Sequence, residues 1–134
     1  MTVNAGIWID QEKAYIVKLE DGKVRFKMIE SNVEKHIRLS GGARSKTPYG
    51  PQDIASERKS EERRKHQLIR FFRDVIRYIE DVNRLFIMGP GEAKKILNKE
   101  IAKIKNLSSI RVMVETADKM TEKQLIAKVK DFYL

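Results

Sequence analysis

A chain of 134 residues with 41% hydrophobic and 7% aromatic residues fits one globular domain, residues 1–134, and excludes wholesale disorder. The absence of cysteine excludes disulfides and thiolate zinc sites, and we expect a cytoplasmic protein because no signal-peptide pattern or membrane-length apolar run occurs. The formal net charge is +9, and +7 of it lies between Lys35 and Arg73. We expect a polyanionic partner, and nucleic acid rather than a membrane, because this basic segment lacks an opposite face of large apolar residues.

The N-terminal quarter predicts three short strands of an antiparallel meander. Each segment is rich in β-branched or aromatic residues, and turn residues such as Asp21-Gly22 separate them. The predicted strands cover residues 5–10, 14–19 and 24–29, with a short continuation at 33–39.

A basic Gly-Gly loop at about 40–52 follows, with three glycines and two prolines, and Asp53 is predicted to cap a long helix at about 54–81. The first turns of this helix, 56–67, carry almost no apolar side chains. A face that can be buried begins only at Leu68 and continues at helical spacing. We therefore expect the far end of the helix to pack on the domain and the near end to project into water.

The C-terminal half predicts alternating strands and helices. Short apolar runs at 84–88 and 110–114 predict buried strands, and apolar residues at helical spacing predict helices at 92–105 and 121–133. The fold class is therefore expected to be α/β, with a mixed sheet in which an antiparallel meander joins parallel strands and three helices cover the sheet.

The Gly-Gly loop and the basic helix form the main candidate site. Phosphate contacts need Lys and Arg spread over an exposed surface, together with backbone that can approach a nucleic acid closely. The candidate RNA-binding residues are Gly41, Gly42, Arg44, Lys46, Arg58, Lys59, Arg63, Arg64 and Lys65. The alternative is a solvated helix whose charges pair along its own surface, such as Glu61 with Lys65.

Other motifs favour structural roles. The turn Gly89-Pro90-Gly91-Glu92 lacks a nucleotide fingerprint and is interpreted as an ordinary strand-to-helix turn. Asp10 could pair with Glu80 or Asp118 to hold magnesium, but a strand-end aspartate is more often a turn former. The two histidines have no second ligand at metal spacing. We therefore predict no catalytic residue, no metal and no cofactor.

In this order, the elements resemble the middle domain of eukaryotic and archaeal peptide-chain release factors, which the ribosome-rescue protein Pelota shares. The resemblance covers nearly the whole chain and rests on the order of its segments, which are 6–10 with 14–17, 39–44, 58–73 and 85–94. The ending 115–121 resembles that of small bacterial relatives. The resemblance implies a ribonuclease-H-like fold and a partner in the ribosome, ribosomal RNA or tRNA.

The release-factor loop carries Gly-Gly-Gln, whose glutamine serves peptidyl-tRNA hydrolysis, but here Ala43 follows Gly41 and Gly42. Ala43 has no side-chain amide to orient a water molecule, so we expect a non-catalytic RNA-binding domain. We also expect the protein to be a monomer. It would associate with the ribosome or the tRNA acceptor end in translation stalling, rescue or hibernation. Two alternatives stay open: a peptidyl-tRNA or RNA hydrolase that uses Gln52 or Asp10, and an adaptor whose charged helix binds an acidic protein.

Overall fold

Five strands and three helices make up the described part of the chain. The computed structural model describes residues 2–34, 50–107 and 109–133, with the backbone alone for 50–57. In chain order the elements are β1 (Val3–Ile9), β2 (Lys13–Glu20), β3 (Lys23–Glu30), α1 (Gly50–Tyr78), β4 (Arg84–Gly89), α2 (Ala93–Ala102), a 3₁₀ turn (Lys105–Leu107), β5 (Arg111–Thr116) and α3 (Glu122–Tyr133). Within these ranges, no helix combines the length and the apolar content needed to span a bilayer.

All five strands form one mixed sheet in the order β3-β2-β1-β4-β5. The first three strands pair antiparallel, whereas β4 pairs parallel with β1 and β5 pairs parallel with β4. The predicted α/β fold class, an antiparallel meander joined to parallel strands with three helices, is confirmed.

Two hydrophobic clusters lie on opposite faces of the sheet. Because side chains alternate along a strand, Ile7 and Ile9 of β1 join the cluster formed with α1 and α2, and Trp8 joins the cluster under α3. The α1–α2 cluster takes Phe71, Phe72, Val75, Ile79, Leu97 and Ile101 from its helices. The α3 cluster takes Leu125 and Val129 from α3. Both faces of β1 are therefore covered.

Three helix ends lie three or four residues from their predicted positions, including the end of α1, which is at Tyr78 instead of residue 81. The helix α1 begins at Gly50, so Asp53 lies within the helix instead of capping it. Pro51 is compatible with this start because proline is favoured in the first turn of a helix. The helix α2 ends at Ala102 because the chain tightens there, with the Lys103 N–H donating to the Glu100 carbonyl before the 3₁₀ turn. Of the predicted strand 33–39, Val33 and Glu34 have no regular structure and the remainder lies outside the described residues.

The prediction that the last strand is buried on both faces is wrong. β5 lies at one edge of the sheet, and 55% of Met113 is exposed on its α3-facing side. Val112 and Val114 on the other side pack against the α1–α2 cluster. The physical reason is that α3 packs over β1 and β2, which leaves one face of β5 largely uncovered.

Gly89, the last residue of β4, lies against the backbone of β1, and this contact gives a test of the packing. A Cβ at Gly89 would lie 2.2 Å from the Ile9 carbonyl oxygen, a main-chain atom of the central strand. We expect Gly89→Ala to lower the free energy of unfolding by about 2 kcal/mol or more, measured by urea denaturation. The matched control is Gly91→Ala, whose Cβ would meet nothing within 4 Å. Its free energy of unfolding should change by less than about 0.5 kcal/mol, and equal losses in both variants would contradict the packing argument.

Candidate nucleic-acid interface

The candidate interface begins where the apolar face of α1 ends. From Phe71 onward, the inward side chains of α1 are buried in the core. Before Leu68 the inward row is polar and only partly buried, and it consists of Ser60, Arg64 and Gln67. Because these side chains bring hydrogen-bonding groups and not apolar area, this part of the helix has to be held by polar contacts.

Glu34, four residues after β3, supplies most of those contacts. Its carboxylate accepts hydrogen bonds from Ser60 Oγ at 2.8 Å and from the Arg63 guanidinium at 3.3 Å. Its own N–H donates to Gln67 Oε1 at 3.0 Å. The Ser60 hydrogen bond, followed by the one from Arg63, lowers the pKa of Glu34 below its ordinary value. Arg63 nevertheless keeps 59% of its side chain exposed.

Arg64 lies on the inward row and is half-buried. Its guanidinium donates a hydrogen bond to Gln11 Oε1 in the turn between β1 and β2. The expectation that the first turns of the helix project free of the domain is therefore wrong at Ser60, Arg63, Arg64 and Gln67. The reason is that Glu34 and Gln11, distant in sequence, offer partners to this polar row.

The groove beside Arg64 does not favour an anion. It has a volume of about 540 Å³, and three glutamates and two cations line it together with uncharged residues. The lining residues are Gln11, Glu12, Lys13, Glu30, Ser31, Asn32, Val33, Glu34 and Arg64. Acidic residues therefore outnumber basic residues in this groove, unlike on the outer surface of α1.

The outward cations near the middle of α1 behave differently. Arg58, Lys59 and Lys65 are exposed. In the described ranges, no carboxylate oxygen lies within 4.0 Å of their side-chain nitrogens to form an ion pair. The Glu61–Lys65 pair that a self-neutralised helix would need is also absent from these described side chains. Gly41, Gly42, Arg44 and Lys46, the loop candidates, lie outside the described residues. Of the predicted site, the structure thus shows the helical half.

The exposed basic row is longer than the sequence analysis proposed. Exposed side chains follow one another at alternating steps of four and three residues, which places them on one face of the helix. They are Lys59, Arg63, His66, Arg70, Arg73 and Arg77. The signal was present in the sequence, since this spacing is readable there, but the predicted site residues ended at Lys65, where the apolar face begins.

The alternative sites are occupied by the chain's own groups. Asp10 Oδ1 accepts the backbone N–H groups of Glu12 and Lys13, both at 2.8 Å, so the prediction that Asp10 is a turn former is confirmed. At the Gly89–Gly91 turn, the buried Lys94 ammonium donates to the Gly91 carbonyl. Among the side chains that the structure describes, no group of three His, Asp or Glu is placed to hold a metal ion.

The fold has counterparts among solved structures. Thermoplasma acidophilum Pelota aligns with 96% of this chain at a TM-score of 0.55 and 15% identity, and Archaeoglobus fulgidus Pelota with 96% at 0.54 and 14%. A model of ribosome-bound archaeal Pelota and ABCE1 aligns with 93% at 0.56 and 20%. The chain shares the fold of part of Pelota. It spans 30–31% of the length of these Pelota-containing matches.

The likeness to Pelota is one of fold. No protein-family model and no curated protein matches the sequence. The predicted resemblance is confirmed at the level of the Pelota-like fold, whereas the position of Ala43, where release factors have glutamine, falls outside the described residues.

The Glu34 contacts predict a measurable titration. The carboxyl group should titrate below its ordinary pKa of 4.5, and Ser60→Ala and Arg63→Ala should each raise that pKa, because each variant removes a hydrogen bond to the carboxylate. A lowered carboxyl pKa stabilises the fold when the group is ionised. This contribution is therefore complete above the ordinary pKa and is lost as the pH falls through the lowered one.

Carboxyl chemical shifts followed by NMR across an acid titration measure these pKa values. Lys59→Ala, which removes a cation from the same helix without touching Glu34, is the control and should shift the Glu34 pKa less than either test variant. A wild-type Glu34 that titrates at its ordinary value would rule out the described contacts in solution.

Proposed function

We propose that this chain is a non-catalytic RNA-binding domain that associates with the ribosome through exposed cations near the middle of α1. The observation that carries the proposal is that Arg58, Lys59 and Lys65 are exposed and unpaired among the described residues. They occupy ~10 Å of a helix whose second half is packed into the core. Cations in this situation are free to exchange their counterions for phosphate groups.

The fold supports the choice of partner. A structure that shares this fold is a model of ribosome-bound archaeal Pelota and ABCE1, in which the ribosome is the partner of Pelota. We extend ribosome association to this chain because its fold and its basic surface occur together. The bound group would be ribosomal RNA or a tRNA acceptor end, and the role would lie in translation stalling, rescue or hibernation.

The neighbouring arginines Arg63 and Arg64 would have different roles. Arg64, which is half-buried against Gln11, would hold the helix in position. Arg63 gives two of the five guanidinium donors to Glu34 and can direct the others to a phosphate. Holding this part of α1 in this way lowers the ordering cost of binding, since the cations already share a rigid element.

We extend the proposed surface to the loop that precedes α1. Arg44 and Lys46 would add phosphate contacts, and Gly41 with Gly42 would let the backbone approach the RNA closely. Ala43 has no side-chain amide, so this loop would bind RNA without orienting a hydrolytic water. Among the described contacts, nothing favours the hydrolase alternative, because the Asp10 carboxylate is engaged in its turn.

Replacing Arg58, Lys59 and Lys65 together with Ala tests the proposal. The variant should lose most of its cosedimentation with ribosomes at low salt. In RNA-binding titrations, the slope of log affinity against log salt should fall by about 2–3, because each lost phosphate contact lowers it by about 0.7–0.9. Fluorescence anisotropy at several salt concentrations measures that slope.

A control variant removes the same charge elsewhere. Lys119, Lys123 and Lys130 are exposed on the α3 side, and their joint replacement with Ala should leave ribosome and RNA binding near the wild-type level. Unchanged affinity and slope in the Arg58, Lys59 and Lys65 variant would refute the proposal. Partner capture that survives nuclease treatment would point instead to the adaptor alternative.

A further inference from the structure

The sheet face that carries α1 has a second group of cations on the edge strand β3. Lys27 pairs in register with Ile16, which is buried in the α1–α2 cluster. Alternate residues of a strand share a face, so Lys23, Arg25 and Lys27 lie on the α1 side of the sheet together with Ile29. All three cations are exposed, and none forms an ion pair with a described residue.

Two contacts show that the second half of α1 runs alongside β3 in the opposite direction. Near the middle of the helix, Arg63 contacts Glu34, which follows β3. At the end of the helix, Lys18 Nζ lies 4.0 Å from the centre of the Tyr78 ring, and Lys18 pairs in register with Arg25 near the start of β3. The side of α1 that carries Arg63 is therefore the side next to β3.

Two further arginines of α1 lie on that side. Arg70 and Arg77 follow Arg63 at intervals of seven residues, which is close to two helical turns, and both are exposed. We define the basic groove as the surface between these two rows. Its residues are Lys23, Arg25 and Lys27 on β3 and Arg63, Arg70 and Arg77 on α1.

Acidic residues do not neutralise this basic groove. Asp81 forms an ion pair with Lys18, with Nζ and Oδ1 2.9 Å apart. Glu34 accepts a hydrogen bond from Ser60 and forms an ion pair with Arg63. The remaining nearby acids, Glu20 and Asp74, form no ion pair within the part of the chain that the structure describes. Five of the six cations, all except Arg63, therefore form no ion pair with a described residue.

Among the residues that the structure describes, the aromatic side chains of this face are not available to stack on bases. Phe71 and Phe72 are buried, and Tyr78 is half-buried with Lys18 over its ring. Proteins that bind single-stranded nucleic acid offer exposed aromatic side chains on which successive bases stack. The basic groove instead offers cations alone, which suits recognition of a phosphate backbone.

We propose that the basic groove binds an RNA double helix by its two phosphate backbones. A double helix presents two rows of phosphates across a groove, and the protein presents two rows of cations. The α1 row from Arg63 to Arg77 is ~21 Å long, and the β3 row from Lys23 to Lys27 is ~13 Å long. This inference rests on the proposed function, since it takes RNA as the partner, and it names duplex RNA as the class that this second surface accepts.

The test uses a defined RNA duplex of about 16 base pairs and one of its strands alone as probes. The variant Arg25→Gln, Lys27→Gln, Arg70→Gln, Arg77→Gln removes four groove cations and spares Arg58, Lys59 and Lys65. We expect duplex affinity to fall tenfold or more at low salt, and the salt slope to fall by about 3–4. Affinity for the single strand should change less than threefold, because that probe engages Arg58, Lys59 and Lys65.

The control removes four lysines outside the groove, Lys105, Lys119, Lys123 and Lys130, by replacement with Gln. Equal losses of duplex affinity in the groove variant and the control would overturn the inference, because they would show a dependence on net charge alone. An equal loss for duplex and single strand would also overturn it. Unchanged melting temperatures, measured on all variants, show that a loss of binding does not come from unfolding.

The ribosome test and the duplex test together separate this inference from the proposed function. Ribosome association that fails in the wild-type chain, or that persists after removal of Arg58, Lys59 and Lys65, defeats the proposed function. Duplex affinity that is unchanged in the groove variant, while the wild-type chain binds RNA and ribosomes, defeats only the groove.

Discussion

The burial of β1 on both faces is the constraint on which the rest of the domain depends. Its side chains alternate between the cluster under α1 and α2 and the cluster under α3, so neither face can be left to water. Close backbone contacts fix its surroundings further, since Gly6 lies against Val129 and Gly89 against Ile9. The helix α1 has to lie across one of these faces with its apolar second half. Only its first turns and its outer side are left for a partner.

Polar contacts then decide how those first turns are presented. A helix with a polar inward row would fray without partners, because such a row contributes little hydrophobic stabilisation. Glu34 and Gln11 meet that row and hold it near the sheet. These are exposed or partly exposed contacts, which contribute little to stability but set the position of the helix. The outward cations consequently stand at fixed helical spacing on a supported element.

The fold also places rows of cations on the α1 side of the sheet. The α1 side carries the row along the helix and the cations of β3, whereas the aromatic contacts of Tyr15 with Trp8 and Phe26 lie on the α3 side. On α3, Lys128 is close to Glu115 of β5, with Nζ and Oε2 3.5 Å apart. Rows of cations of this kind attract a polyanion and speed its association. They also make the exposed edge strand β3 unattractive for pairing with another strand, since lysines on an edge discourage aggregation.

Periodicity and charge are properties of neighbouring residues, and they predicted the elements, the α/β class and the excess of positive charge on α1. The outer row beyond Lys65 is also readable from spacing. Three other features appear only in the folded domain: Arg64 turns inward to Gln11, β5 forms an edge with one face uncovered, and β3 lies beside α1. These features depend on contacts between residues far apart in the chain, such as Glu34 with Ser60 and Lys18 with Asp81. Local patterns do not encode such contacts, because the packing of several elements at once places the partners.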